Sequence, residues 1–193
     1  ELFAQNGFRL ELVAGASLNT LTTGVFSNWG DGWTVGGGTS YRFSPSIDLA
    51  FTITYNRYSY QGDNLQLAFP AIAGLHWSVS GQASNVIEAS LAARVSSSSS
   101  FINPYLSLRI GLYQLNIGDV TVSTWFDPNS QDISRSTYAR TGISTTKSFA
   151  ALGFGVSIPF DSSIRAMIES RFAQTFDGKE IFIPLLSTIQ FDL

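Results

Sequence analysis

The sequence predicts an all-β chain: one eight-stranded, antiparallel, up-and-down barrel that crosses a membrane, with short turns at one end and long loops at the other. Three observations carry this reading. The first is the segment from Ile183 to Leu193. Leu193, Phe191, Ile189, Ser187, Leu185 and Ile183 share one phase, and Thr188, Gln190 and Asp192 share the other. That period of two marks a strand with one apolar face. It suits the closing strand of a barrel, which pairs with the first strand and turns its apolar phase to lipid. The second is charge. Charged residues make up 13% of the chain, about half the usual globular share. Yet the longest apolar stretch, Leu65 to Leu75, is about half the ~20 residues of a membrane-spanning helix and contains Pro70. The third is the count of alternating segments, an even number, joined by connections that alternate short and long.

Taken in order, the first strand runs from Phe8 to Leu18, with Phe8, Leu10, Leu12, Ala14, Ala16 and Leu18 on one face and Arg9, Glu11, Val13, Gly15 and Ser17 on the other. A Thr-, Gly- and Asn-rich loop follows. The second strand, Trp33 to Phe43, sets Trp33, Val35, Tyr41 and Phe43 against Thr34, Gly36, Gly38, Ser40 and Arg42, and ends in the tight turn Ser44-Pro45-Ser46. The third, Ile47 to Arg57, alternates Ile47, Leu49, Phe51, Ile53 and Tyr55 with Asp48, Ala50, Thr52, Thr54 and Asn56. A long connection from Tyr58 to about Asn85 precedes the fourth, Ile87 to Val95, and the serine run Ser96 to Ser100 forms a polar turn. The fifth, Tyr105 to Leu115, sets Leu106, Leu108, Ile110 and Leu112 against Ser107, Arg109, Gly111 and Tyr113. A second long segment, Asn116 to Thr146, leads to the sixth strand, Phe149 to Phe160, with Leu152, Phe154 and Val156 outward and Gly153, Gly155 and Ser157 inward. After Asp161-Ser162-Ser163 comes the seventh, Ile164 to Phe172, then a short loop around Asp177-Gly178-Lys179 and the closing strand, with Leu185, Ile189, Phe191 and Leu193 on its apolar phase. No internal linker is present, so residues 1–193 read as one domain.

The polar phase separates a membrane barrel from a soluble one. It carries Ser, Thr, Gly and Ala rather than the Lys, Glu and Gln of a washed surface, and small residues fit the crowded interior that eight strands leave. Charges on that phase are Arg9, Arg94, Arg109, Arg165 and Arg171 against Glu11, Asp48, Glu88 and Glu169. Buried charges persist when paired, so the near balance predicts a salt-bridged lumen that plugs the barrel, ahead of a polar ion path. Aromatic residues at strand ends read as outward interfacial belts: Phe8, Phe43, Tyr105, Phe160 and Phe191 at the turn ends, Trp33, Tyr55, Tyr58 and Phe172 at the loop ends.

In strand count, loop order, charged lumen and closing strand, the whole chain resembles the small eight-stranded bacterial outer-membrane proteins of the OmpA transmembrane domain, OmpX and OmpW type. The resemblance implies turns and both termini on the periplasmic side, outer-membrane lipid and lipopolysaccharide as surroundings, and roles that range over anchoring, adhesion, passage of small or hydrophobic solutes and, in some members, lipid chemistry. In this frame Glu1 reads as a mature N-terminus left by signal-peptide cleavage.

Cysteine is absent, which excludes disulfides and thiolate metal sites. A net charge of −3, with Lys147 and Lys179 the lysines, argues against nucleic acid as a partner. No cofactor, nucleotide or metal motif is present; Gly36-Gly37-Gly38 lies within a strand and is no phosphate loop. Two outer segments stand out. Leu65 to Trp77, with Leu65, Leu67, Phe69, Ile72, Leu75 and Trp77, is too apolar for a free loop and caps the barrel or docks on a protein partner. Asp119 to Ser144 reads as a hairpin turning at Asp127 to Ser130, extending the fifth and sixth strands beyond the membrane and leaving edges for another strand; resemblance to OmpX-like proteins implies the same protruding sheet. An enzyme signal is confined to His76, Ser78 and Glu88. A His-x-Ser pair with a carboxylate fits a lipid A hydrolase, but the pair falls in a loop before the fourth strand and Glu88 falls inside the barrel. The expected function is therefore non-catalytic: a structural or interaction role as anchor, adhesin or accessory subunit of a larger outer-membrane complex. A narrow solute channel is the first alternative and lipid A hydrolysis a minor one.

Overall fold

The computed structural model describes residues 7–18, 29–61, 75–97, 101–126, 136–178 and 181–193. They form eleven strands: β1 (Phe8–Leu18), β2 (Trp29–Ser44), β3 (Ile47–Tyr60), β4 (Leu75–Gly81), β5 (Ser84–Ser96), β6 (Asn103–Asn116), β7 (Val120–Phe126), β8 (Ser136–Arg140), β9 (Ser144–Pro159), β10 (Ile164–Thr175) and β11 (Ile181–Asp192). Eight of these close a barrel in the order β1-β11-β10-β9-β6-β5-β3-β2, and β4, β7 and β8 make a separate three-stranded sheet. Every barrel neighbour is antiparallel, and closure is made by β1 against β11 from Arg9↔Asp192 to Leu18↔Ile183.

The period of two dictates the two faces. Leu10, Leu12, Leu49, Phe51, Leu91, Leu106, Leu108, Ile110, Leu152, Phe154, Leu185 and Ile189 all lie exposed on the outside. A continuous apolar surface of this extent has no place in water and fits the hydrocarbon of a bilayer. Phe8, Phe43 and Phe160 rim the turn end and Trp33, Phe172 and Phe176 the loop end. Tyr105 and Tyr58 do not join these belts: both are buried in the lumen. Each stands in phase with inward neighbours, Ser107 and Arg109 for Tyr105, Thr54 and Asn56 for Tyr58, and strand phase overrides position along the strand.

At the turn end, Asp161 Oδ1 accepts the backbone N–H of Ser163 at 2.6 Å and of Ile164 at 2.7 Å, an Asx turn that fixes the β9–β10 reversal. The Leu193 N–H donates to the Phe8 carbonyl at 3.1 Å and Asp192 N–H to Ser163 O at 2.8 Å, so the ends of β1 and β11 are held at this rim.

The long connections are not simply loops. The stretch expected to run as a connection from Tyr58 to Asn85 contains β4, whose Leu75, Trp77 and Val79 are half-buried while His76, Ser78 and Ser80 are exposed. The Asp119 to Ser144 hairpin exists as β7 and β8, with Val120↔Arg140 through Thr124↔Ser136; its expected turn at Asp127 to Ser130 lies outside the described residues. β4 pairs the other side of β7, from Leu75↔Phe126 to Gly81↔Val120. The order β4-β7-β8 repeats that of β5-β6-β9 directly below it, so the outer sheet continues three barrel strands across a break. At the break Gln82 N–H donates to Asp119 O (2.9 Å), Ile117 N–H to Ile143 O (2.8 Å) and Gly142 N–H to Asp119 Oδ1 (2.6 Å). Backbones approach closely enough there that a Cβ on Gly118 would lie 2.5 Å from Gln82 O and one on Gly142 2.2 Å from Ile117 O. Glycine is required at both.

Candidate functional site

The interior has three layers, built from inward residues of every barrel strand. At the turn end, Arg9 of β1 bonds Asp192 of β11 through Nε and lies 3.3 Å from Asp48 of β3, and Arg42 of β2 lies 3.7 Å from the same Asp48 oxygen. Arg165 of β10 stands in this layer with no ion-pair partner among the described residues.

The middle layer is an arginine-carboxylate core. Arg94 of β5 reaches across the lumen to Glu11 of β1 in a bidentate pair, Nη1–Oε1 2.5 Å and Nη2–Oε2 2.9 Å. Gln190 Nε2 donates to the same Glu11 at 2.7 Å. Arg171 Nε donates to Glu169 Oε1 at 2.5 Å, and its Nη1 lies 3.4 Å from Glu88 Oε1. The Tyr105 hydroxyl donates to Glu169 Oε2 at 2.9 Å. Arg109 donates from Nη1 to Thr52 Oγ1 (2.6 Å) and Ser90 Oγ (2.8 Å) and lies 3.9 Å from Glu169. The fork-shaped, charge-assisted pairing of Arg94 with Glu11 fixes those buried ions in one geometry, whereas Arg109 Nε and Nη2 are buried with no hydrogen-bond partner among the described residues.

Inward glycines make the room. A Cβ on Gly155 would lie 2.6 Å from Tyr105 Cζ, and one on Gly153 3.1 Å from Glu169 Oε1 and 3.2 Å from Arg171 Cγ. Tyr105 is directly opposite Gly155 in the β6–β9 register, so the ring lies over the glycine and points its hydroxyl at Glu169.

The outer layer is apolar. Tyr58, Val86, Tyr113, Leu115, Phe149, Ala151 and Ala173 fill the loop half of the barrel together with Trp29, and Val120, Val79 and Ile117 of the outer sheet and its break pack on them. Trp29 Nε1 donates to Gln82 O at 3.1 Å, and Ser17 Oγ bonds Tyr58 Oη at 2.6 Å. Between the apolar and charged layers a cavity of about 30 Å³ remains, lined by Ser17, Asn56, Tyr58, Glu88 and Arg171 among others, enough for about one water.

Eight of the nine lumen charges picked from sequence stand in these ion pairs; Arg165 does not. Arg42, Gln190 and Asp192, on the polar phase of their strands but outside those nine, also join the network; Tyr105 joins it in place of its expected outward belt; and the apolar layer goes beyond anything expected from the sequence. Of the apolar outer segment, Leu65, Leu67, Phe69 and Ile72 lie outside the described residues; Leu75 and Trp77 belong to β4, in the outer sheet. His76 and Ser78 share the exposed face of β4, with the His76 ring stacked on Trp125 at 6.0 Å. Glu88 is in the lumen, bonded by Ser90 at 2.9 Å and facing Arg171. The three residues of the hydrolase reading thus belong to two different sheets.

No protein-family model matches the chain, and no curated protein matches it. Among solved structures, Neisserial surface protein A is similar at a TM-score of 0.53 with 16% identity, covering 98% of each chain. The N-terminal β-barrel domain of Pseudomonas aeruginosa OprF is similar at 0.49 with 16% identity, again over 98% of each chain. The fold is that of the small eight-stranded outer-membrane barrels.

Proposed function

We propose that this chain resides in a bacterial outer membrane as a closed, non-conducting barrel whose work is to anchor and present its outer three-stranded sheet to a partner. The observation that carries the reading is the stack of two plugs. The charged middle layer and the apolar outer layer together leave a cavity of about 30 Å³ at their junction, which supports anchoring over solute passage. The sheet β4-β7-β8 rises from the rim on glycine-tight breaks, and β8 is exposed along its whole length. An exposed edge strand offers unpaired backbone groups to an incoming strand. The lipid-facing belt implies outer-membrane lipid and lipopolysaccharide as the surroundings. Neisserial surface protein A, by its name a surface protein, is consistent with such a role.

Planar-bilayer recording tests the reading. The purified chain is expected to give no discrete conductance steps, and Arg109→Ala or Glu169→Gln to give none either, because the apolar layer still seals the lumen. Discrete wild-type steps altered by either substitution would establish the channel reading in its place. Mild-detergent extraction from the native membrane then distinguishes a lone barrel from a subunit of a larger particle.

The hydrolase reading has its own check. His76 is the one histidine in the chain, so His76→Ala removes any imidazole base. Lipid A from cells carrying the variant is expected to match wild type by mass spectrometry; loss of an acyl-chain difference in the variant would restore the enzyme.

A further inference from the structure

We propose that the turn-end mouth of the lumen is a binding site for a small oxyanion of the phosphate class. A pocket of about 210 Å³ opens there, lined by Arg42, Arg94, Arg165, Asn103, Tyr105 and Ser157 among others. Three arginines share this lining with one carboxylate, Asp48, and the groups left unsatisfied there are mostly donors. The Nε groups of Arg94 and Arg165, the hydroxyl of Ser157 and the side-chain oxygen of Asn103 are buried and have no hydrogen-bond partner among the described residues, while Arg42 Nε lies 3.7 Å from Asp48 Oδ1. Arg94 and Ser157 are themselves almost wholly buried, at 3% and 4% exposure. Most of these orphaned atoms are donors, and the Asn103 amide presents N–H groups on rotation.

The charge count points the same way. Around this end Arg94 is matched by Glu11, and Arg9 and Arg42 by Asp48 and Asp192. Arg165 is left over. A guanidinium drawn into a barrel mouth whose carboxylates, Asp48 and Asp192, are already engaged by Arg9 and Arg42, beside further unused N–H donors, is costly unless an anion completes it. Arginine forks match the oxygens of phosphate. The cavity between the charged and apolar layers is too small for such an anion, at about 30 Å³.

Two sources carry this chemistry: a soluble phosphate, or the headgroup of an anionic phospholipid reaching over the rim. The test uses the full chain in neutral detergent micelles at low ionic strength, free of phosphate and sulfate. Calorimetric titration is run with inorganic phosphate in one arm and with phosphatidylglycerol in mixed micelles in the other. Wild type is expected to bind saturably in one arm, and Arg165→Gln to weaken that binding about tenfold or more, the loss of one charge-assisted contact. Arg165 makes no ion pair among the described residues, so the substitution is expected to leave the fold intact, which a retained thermal transition verifies; Arg42→Gln serves as an independent second variant. Saturation with inorganic phosphate assigns a soluble ligand, and saturation with phosphatidylglycerol alone a membrane headgroup. Absence of saturable binding in both arms, or equal affinity in wild type and both variants, overturns the proposal.

Discussion

Arg94→Ala is expected to lower the unfolding free energy by about 3–5 kcal/mol, the cost of removing one partner of a buried ion pair. The reason is Glu11. Its carboxylate is 0% exposed, held by both Nη atoms of Arg94 and by Gln190. Without the guanidinium it remains a lumen charge with one neutral amide for company. Urea titration of the folded chain in micelles measures the loss. The double variant Arg94→Leu/Glu11→Leu removes both charges and fills the volume with hydrocarbon, and it is expected to lose less than Arg94→Ala alone, since apolar replacement of a complete buried pair is often near neutral. With the single variants Arg94→Leu and Glu11→Leu as the other corners, the cycle is expected to give a coupling of about 0.5–3 kcal/mol. A double variant as unstable as the sum of its singles would show that Arg94 contributes through packing and not through its pairing with Glu11.

Gly155→Val is the second large effect, expected to cost about 3 kcal/mol or more from overpacking together with a lost charged hydrogen bond. A side chain there meets two things. One is Tyr105, its ring carbon Cζ at 2.6 Å and its hydroxyl oxygen at 2.7 Å from the new Cβ; the other is the Ile168 carbonyl oxygen, at 2.4 Å. Displacing the ring breaks the 2.9 Å bond from Tyr105 Oη to Glu169. Tyr105→Phe removes that bond alone and is expected to cost about 1.5–3 kcal/mol. Adding Tyr105→Ala to Gly155→Val relieves the ring clash but leaves the carbonyl, so rescue is expected to be partial. Full rescue would assign the whole effect to the ring, and no rescue to the strand backbone.

How much of this could be read beforehand follows from what alternation encodes. Period two fixed which side of each strand faces lipid, and it located the closing pair of strands, because both depend on neighbours along the chain. The same rule would have placed Tyr105 and Tyr58 inside had it been applied without regard to their position near strand ends. β4 is also legible in Leu75, Trp77 and Val79 alternating with His76, Ser78 and Ser80, but the continuous apolar run before it hides where the alternation begins. What alternation cannot encode is which inward charge meets which. Arg94 finds Glu11 across the lumen rather than a neighbour on an adjacent strand, and that choice depends on strand stagger and barrel tilt, which are set only on closure. Gly153 and Gly155 were assigned to the lumen as small residues; that they are seats for Tyr105 and for the Glu169–Arg171 pair requires the register.

The β1–β11 seam also bears on how the protein is made. Arg9 and Asp192 are 183 positions apart, so the contact that completes the barrel must wait until all eight of its strands exist. Long-range pairing of this kind is slow, because chain entropy is lost before any contact repays it. Until it forms, β1 and β11 each present a bare edge, open to pairing with another molecule. Assembly therefore leaves the barrel with two sticky edges until its final step, and the interval before the seam zips is the period in which it is most open to pairing with the wrong strand.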